Sequence, residues 1–230
     1  MLTSTLAFRS TQAVSFGQDG AEVYHGLIAP SGAGTTFDVT HTFGGSANAF
    51  TCMFGWEDTP SISSVTIDPA GANIAMTNLA TAVANTNKSS VYYAHSLSGL
   101  SGAKTIRLVF SAAITTTGIM VETQSYNAAA AAAPTPFDTD SSATGDVDGL
   151  SLSSPNANGI MKVVICTNST TGYSLTVSGF TQTGQTISGN DFAVTVGHKL
   201  GSLTNPEVPS GDINSGSMRN CAVAFVVNPA

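Results

Sequence analysis

Apolar and polar side chains alternate along most of this chain, which is the period of a β-strand. From Thr36 to Phe43, phenylalanine, valine and histidine occupy every second position, and threonine and aspartate occupy the positions between them. Successive side chains of a strand point to opposite faces, so this pattern predicts a strand with one buried and one solvated face. Residues 91–97, 105–110 and 192–200 repeat the alternation and predict further strands of the same kind.

Two further runs are apolar on both faces. Residues 50–56 and 160–167 contain few polar side chains, which is typical of central strands that are covered on both sides. Joints rich in glycine and serine, at residues 30–34, 44–45 and 98–102, separate the predicted strands and indicate turns. Many short strands joined in this way predict an all-β fold, a single β-sandwich of jelly-roll type.

Residues 127–133 interrupt the alternation with a run of alanines. Alanine favours helix, so one or two helical turns are compatible with this segment. Pro134 and Pro136 prevent such a helix from continuing. We therefore predict a short alanine-rich crossover between two halves of one sandwich domain, which is expected to span residues 19–230.

Residues 1–18 precede the first strong alternating strand. They are expected either to form an arm that pairs with the sheet of a neighbouring molecule or to form the first strand of their own sandwich. The apolar residues of this segment are the candidates for docking to a partner: Leu2, Leu6, Phe8, Val14 and Phe16.

Charged residues are scarce. They make up 9% of the chain, whereas a soluble protein contains roughly 25%, so serine, threonine, asparagine and glycine must supply most of the surface polarity. The scarcity predicts that partners cover part of the surface, and we expect a homo-oligomer. Seven Lys and Arg against fourteen Asp and Glu give a net charge of −7, which argues against nucleic acid as a partner.

The three cysteines, Cys52, Cys166 and Cys221, each lie inside an apolar, strand-like run. This placement predicts buried, reduced thiols that act as small apolar side chains. Their odd number and wide spacing indicate neither a disulfide framework nor a metal motif.

No apolar stretch approaches the roughly 18 residues of a membrane span, and no signal-peptide pattern opens the chain. We expect synthesis in a cytoplasm and no membrane partner.

Two groups of residues are weighed as metal ligands, and neither predicts a metal or a cofactor. Histidines occur singly among apolar neighbours, without a His-x-His pair, so they are expected to be core or interface residues. Aspartates cluster in one polar segment whose spacing suits Ca²⁺ but lacks the register of an EF-hand, so a solvated loop is the expected alternative. The histidines are His25, His41, His95 and His198, and the aspartates are Asp138, Asp140, Asp146 and Asp148.

The sequence contains no motif of a catalytic centre. It lacks a Gly-x-Ser-x-Gly nucleophile elbow, and its Gly32-Ala33-Gly34 stretch lacks the third glycine of a dinucleotide site. It also identifies no carboxylate pair for glycoside hydrolysis.

A glycan is a candidate partner, because aromatic rings stack on sugars, although a tryptophan such as Trp56 also closes strands against a core. The candidate stacking residues are Trp56, Tyr92, Tyr93 and Tyr126.

Several segments resemble a jelly-roll module that recurs in structural proteins of tailed bacteriophages and in some bacterial surface proteins. The resemblance extends over most of the chain from about Leu27. It consists of similar residue patterns within the strands and includes no invariant chemical residue. It implies a β-sandwich displayed on a particle surface, and it brings no catalytic residues. The matching segments are residues 61–68, 73–77, 91–95, 104–111, 136–138, 141–145 and 221–230.

The resemblance and the composition together give the expected function. We expect a non-enzymatic structural protein of a tailed-phage virion, made in the host cytoplasm and placed on the virion surface among other virion proteins of the capsid or tail. A capsid decoration or surface protein is the first expectation. The alternative is a tail or fibre component that acts as a glycan-binding or adhesin module.

Overall fold

The computed structural model describes residues 15–28, 34–114, 118–142, 147, 149–168, 174–175, 180–188, 192–209, 211–212 and 219–230. These residues form strands and no helix, and every strand pairing is antiparallel, so the predicted all-β class is confirmed. It follows that no helix in the described ranges is long enough to cross a membrane. The strands are β1 Gly17–Gln18, β2 Val23–Ile28, β3 Thr36–Phe43, β4 Ala49–Glu57, β5 Ile62–Ile67, β6 Ile74–Ala75, β7 Thr77–Ala84, β8 Asn87–His95, β9 Gly102–Phe110, β10 Ile119–Asn127, β11 Phe137–Ser142, β12 Ile160–Thr167, β13 Ser174–Leu175, β14 Thr181–Ser188, β15 Phe192–Leu200, β16 Gly211–Asp212 and β17 Asn220–Val227.

Alternation in the sequence becomes alternation of burial in the strands. Along β3, Phe37, Val39 and Phe43 are buried, while Asp38 and Thr40 between them are exposed. β3 pairs with β9 in unbroken register from one end to the other. A strand with one apolar face is therefore used as the sequence predicted, with that face against a second sheet.

Three large sheets are stacked on one another. The outer sheet has the strand order β3-β9-β5-β6, and the middle sheet has the order β2-β10-β4-β8-β7, with β1 also paired to β10. The C-terminal sheet has the order β11-β17-β12-β15-β14, and β13 and β16 form a small separate pair. The middle sheet is covered on both faces, which is why β4 and β10 are buried along almost their whole length.

Each layer boundary contains its own apolar core. Phe37, Phe54 and Ile106 pack between the outer and middle sheets. Val91 and Val164 pack between the middle and C-terminal sheets. A third core covers the far face of the C-terminal sheet, where β12 contributes its alternate residues. That core contains Val147, Leu150, Leu152, Met161, Val163, Ile165, Leu203, Ala222, Ala224 and Val226.

The first two sheets interleave their strands. The orders β2-β10-β4-β8 and β3-β9-β5-β6 place chain neighbours such as β2 and β3, or β4 and β5, in opposite sheets. Two interlocked Greek keys of this kind are what a jelly roll requires. The C-terminal sheet adds a layer that a simple two-sheet sandwich does not contain, so the jelly-roll type stays a prediction for the chain as a whole.

The alanine-rich segment is the link between the middle and C-terminal sheets. It runs from the end of β10 to the start of β11 without forming a helix. It is attached to the C-terminal end of the chain, because Ala130 N donates to Asn228 O and Ala230 N donates to Ala128 O. The predicted crossover is therefore present, and it joins two layers of the stack.

Candidate functional site

Two of the four histidines are linked through one threonine at the edge of the first core. His41 is fully buried, with Nδ1 at 3.0 Å from Thr123 Oγ1 and Nε2 at 3.0 Å from Ser125 Oγ. His25 Nε2 lies 3.0 Å from the same threonine oxygen. Burial lowers the pKa of His41 to about 4, so this ring is neutral at physiological pH and serves as a hydrogen-bonded core residue.

The other two histidines have different surroundings. His95 is exposed, so it is not a core residue and an interface position stays a prediction; its ring stacks on Tyr93 with 5.9 Å between centroids. His95 is the last residue of β8, where it pairs with Ala49 of β4, and Ser96 after it adopts a positive φ. His198 lies on β15 at the boundary between two sheets, where its Nδ1 is 2.7 Å from Glu22 Oε2.

A cluster of buried charges joins the middle sheet to the C-terminal sheet, and we call it the ionic cluster. Lys162 Nζ on β12 lies 2.7 Å from Glu22 Oε1 and 2.6 Å from Glu122 Oε1 on β10. Thr183 Oγ1 on β14 donates to Glu122 Oε2 at 2.9 Å. With His198 against Glu22, the cluster contains side chains from both halves of the chain.

The ionisation states in the ionic cluster follow from burial and charge balance. Burial, with help from the Glu22 charge and against the pull of Lys162, raises the pKa of Glu122 to about 8. Burial also opposes ionisation of Glu22, but His198 and Lys162 outweigh it and hold the pKa of Glu22 below its usual range. The nearby carboxylates likewise hold the pKa of Lys162 above its usual value, although burial opposes its charge. One ammonium therefore faces one carboxylate and one carboxylic acid near neutral pH.

Sequence reasoning missed the ionic cluster. A signal for it was present, because Lys162 is the one charged residue in the apolar run 160–167. Lysine is almost never fully buried unless it is paired, so this position predicts a buried acidic partner. The identity of that partner has no local signal, because Glu22 and Glu122 are distant in sequence and approach Lys162 only through the stacking of sheets.

A groove of about 340 Å³ lies over β7 and β8, beyond the edge of the outer sheet, and we call it the Tyr92 groove. Two of the four aromatic candidates line it, together with hydroxyl, amide and ammonium groups. Ser90 Oγ receives a hydrogen bond from Asn78 Nδ2 at 3.0 Å and lies 2.8 Å from Thr81 Oγ1. The lining includes Trp56, Ile62, Asn78, Thr81, Ser90 and Tyr92.

The aromatic rings of this groove are set into its wall. Trp56 is 1% exposed, its Nε1 donates to Pro60 O at 3.0 Å, and Lys88 Nζ lies 5.6 Å from its ring centroid. Tyr92 is 8% exposed, and its hydroxyl donates to Ile62 O at 3.4 Å. These rings offer no open face for stacking on a sugar, so the groove presents hydrogen-bonding groups instead.

The remaining aromatic candidates lie elsewhere, so the structure does not assemble the four into one platform. Tyr126 is fully buried and lies 3.0 Å from Thr51 Oγ1 through its hydroxyl, which makes it a core residue and not a stacking surface. Tyr93 is partly exposed and lines an apolar cleft of about 170 Å³ between β8 and the alanine-rich crossover. Tyr92 and Tyr93 line different surfaces because neighbouring residues of a strand point to opposite faces.

The predicted docking segment is described only at its end. Leu2, Leu6, Phe8 and Val14 lie outside the described residues. Phe16 is partly buried against the second core, and Gly17–Gln18 pairs with β10 of the same molecule. Gly17–Gln18 is thus a short strand of the chain's own sheet, and the expectation for residues 1–14 stays a prediction.

The aspartate-rich segment is fixed by backbone hydrogen bonds where it is described. Asp138 Oδ2 accepts from Ser151 N at 2.8 Å, and Asp140 Oδ2 accepts from Gly149 N at 3.2 Å. Asp146 and Asp148 lie outside the described residues. In the part of the chain that the structure covers, no three acidic, histidine or cysteine side chains gather as metal ligands.

Comparison with known proteins returns no relative. No protein-family model matches the chain, no curated protein matches it, and no solved structure matches its fold.

Proposed function

We propose that this chain is a structural protein of a tailed-phage virion, with a place on the capsid surface as a decoration or surface protein, and that it acts by association and not by catalysis. The observation that supports this best is the state of its sheet edges. β7 and β14 are terminal strands of their sheets in the described part of the chain, and neither contains a charged residue. Soluble proteins protect such edges with charge or proline, because open edges pair with other strands.

Exposed apolar side chains add to this support. Val83 on β7 is 47% exposed and Phe137 on β11 is 49% exposed, and β7 and β11 contact each other at one side of the stack. Because only 9% of the residues are charged, few charged side chains are available to solvate the surface that β7 and β11 form. Coverage by neighbouring virion proteins or by further copies of the chain would remove these groups from water.

The buried polar groups fit a structural role. The ionic cluster lies between the middle and C-terminal sheets with its charged groups within ion-pair distance of one another, and His41 is fully buried beside the threonine that it shares with the partly buried His25. Such networks specify how sheets stack.

Immunogold labelling tests the proposed location. Antibodies raised against the purified protein are applied to phage particles prepared from a culture that carries the gene. Label distributed over the capsid is the expected result, and label on the tail or fibres supports the alternative. Particles that contain no trace of the chain, by labelling and by mass spectrometry of the purified virion, would refute the assignment as a virion component.

Edge-strand variants test whether association uses β7. Val83→Lys places a charge on that edge, and Thr40→Lys serves as the matched control on the exposed face of β3. Analytical ultracentrifugation of the wild type should show oligomers that Val83→Lys weakens and Thr40→Lys leaves intact. Equal behaviour of all three proteins would exclude β7 as the contact.

The alternative, a tail or fibre component that binds glycan, is favoured by one observation. The Tyr92 groove presents the Asn78 amide and the Thr81 hydroxyl beside exposed surface. Glycan-array binding that Asn78→Ala abolishes and Tyr93→Ala preserves would support it. Absence of binding across an array of bacterial surface glycans would remove this alternative.

A further inference from the structure

Two of the three cysteines face each other across neighbouring strands of the C-terminal sheet. β12 and β17 pair in unbroken antiparallel register, with Cys166 directly opposite Cys221. Both side chains are fully buried in the second core, where the Cys166 thiol donates to Trp56 O at 3.6 Å and the Cys221 thiol donates to Ser89 Oγ at 3.7 Å. Cys52 is equally buried, but it lies in the first core and is opposite Thr123 and Tyr92.

We propose that Cys166 and Cys221 are a redox pair that forms a reversible cross-strand disulfide when the protein is exposed to a small oxidising disulfide such as oxidised glutathione. The bond would link the C-terminal strand β17 to β12 at the centre of the sheet. This proposal is independent of the function proposed above, because it uses only the register of two strands.

The geometry of an antiparallel pair permits this bond with modest strain. Directly opposed Cα atoms are separated by roughly 4.5–5.5 Å, and disulfides span Cα separations of roughly 4.4–6.8 Å. Opposed Cβ atoms are separated by roughly 4.5–5.5 Å, whereas a relaxed disulfide holds them at roughly 3.5–4.5 Å. Closure must therefore draw the two strands slightly together. A strained disulfide is reduced more easily than a relaxed one, which makes the bond reversible.

Oxidised glutathione accepts the two electrons that formation of the protein disulfide releases. One protein thiolate attacks a sulfur of the oxidised compound, forms a mixed disulfide and expels one thiolate. The second protein thiolate then attacks the protein sulfur of that mixed disulfide, forms the Sγ–Sγ bond and expels the other thiolate. The two protons of the cysteines leave with the two small thiols, and two electrons pass from the protein to the oxidant.

Burial controls the rate of the reaction. It raises the pKa of the Cys166 thiol, so little thiolate is available, and both sulfurs are closed to solvent in the folded protein. Oxidation of the native state must therefore wait for local opening of β17 from its neighbours β11 and β12. During folding, before the layers close, the same step is unhindered. Slow oxidation of the folded protein and fast oxidation during refolding are expected.

The test counts free thiols by mass. Wild-type protein is unfolded in denaturant with a reductant, transferred to buffer with oxidised glutathione to refold, and then alkylated with N-ethylmaleimide under denaturing conditions. We expect one alkylated cysteine, mapped to Cys52, and a peptide pair joined through Cys166 and Cys221. The oxidised protein should melt on the order of 5–10 °C above the reduced protein, since the bond closes a long loop of the unfolded chain.

Two variants distinguish a bond between Cys166 and Cys221 from a bond that involves Cys52. Cys52→Ala should lose both remaining thiols on oxidation, whereas Cys166→Ala should retain two alkylated thiols under the same conditions. Reduction with dithiothreitol should restore three thiols in the wild type. Three alkylated thiols in refolded wild-type protein, or a disulfide that involves Cys52, would overturn the proposal.

Discussion

The ionic cluster gives the sharpest prediction about stability. Lys162→Met removes the ammonium from between Glu22 and Glu122 and keeps a flexible, unbranched side chain of similar length. Removing one partner of a buried ion pair costs about 3–5 kcal/mol, because the remaining charge stays buried without compensation. We expect a loss of that size in the free energy of unfolding near pH 8, where the wild type gains from a Glu122 carboxylate beside Lys162 and the variant must keep this carboxyl protonated or bury its charge unpaired.

The loss should depend on pH. At pH 5 the carboxyl of Glu122 is protonated, and Glu22 keeps His198 as a partner in Lys162→Met, so the destabilisation should be smaller. Urea unfolding, followed by the fluorescence of the single tryptophan Trp56 and by circular dichroism, measures both values. Because Trp56 is buried at the boundary of the outer and middle sheets, its emission reports loss of that core.

Two controls separate the effect of burial from that of charge alone. Lys104→Met breaks the pair with Asp68, whose charged atoms are 3.1 Å apart, and should cost much less than Lys162→Met because water screens an exposed pair. Combining Lys162→Met with Glu22→Gln and Glu122→Gln removes every charge that Lys162 pairs with, and should recover much of the lost stability. A cost below about 1 kcal/mol for Lys162→Met at pH 8, with Lys104→Met equal to it, would refute the buried-pair reasoning.

Three further predictions follow from the packing and from the titrating groups. The folded-state pKa of Glu122 lies above its usual value, so its contribution to stability is present at low pH and is lost as pH rises towards about 8; urea titrations of Glu122→Gln should lack this loss. Gly55→Ala should destabilise by about 1–3 kcal/mol in thermal unfolding, because a Cβ there would clash with Val194 Cγ2 across the layer boundary. Calcium at millimolar concentration should leave the melting temperature nearly unchanged, since Asp138 and Asp140 already accept backbone hydrogen bonds; a rise of many degrees would show a real site.

The strands and their buried faces were largely predictable from local pattern. The period of two assigned Phe37, Val39 and Phe43 to one buried face, and the apolar run 160–167 became the fully buried β12. The thiols are buried and unpaired as predicted from their apolar neighbours. These features depend on a few adjacent residues, because burial of a strand face depends mainly on the residues of that strand.

The candidate sites were less predictable, because they depend on which strands become neighbours. Tyr126 was a candidate for an exposed surface, but the C-terminal sheet covers its face of β10. Tyr92 and Tyr93 were both candidates for stacking on a glycan, although neighbouring residues of a strand point to opposite faces of the sheet. Exposure of an aromatic residue is decided by the layer above it, and alternation alone does not show whether such a layer exists.

The sequence by itself determined the all-β class, the crossover after β10, the charge-poor surface and the buried thiols, since each follows from composition or from a pattern of neighbouring residues. Only the tertiary structure decided that three sheets are stacked, that Lys162 meets Glu22 and Glu122, and that Cys166 lies opposite Cys221 and not Cys52. The physical reason is that pairing register and layer order join residues far apart in the chain. Their energies are collective, so no single segment of sequence encodes them.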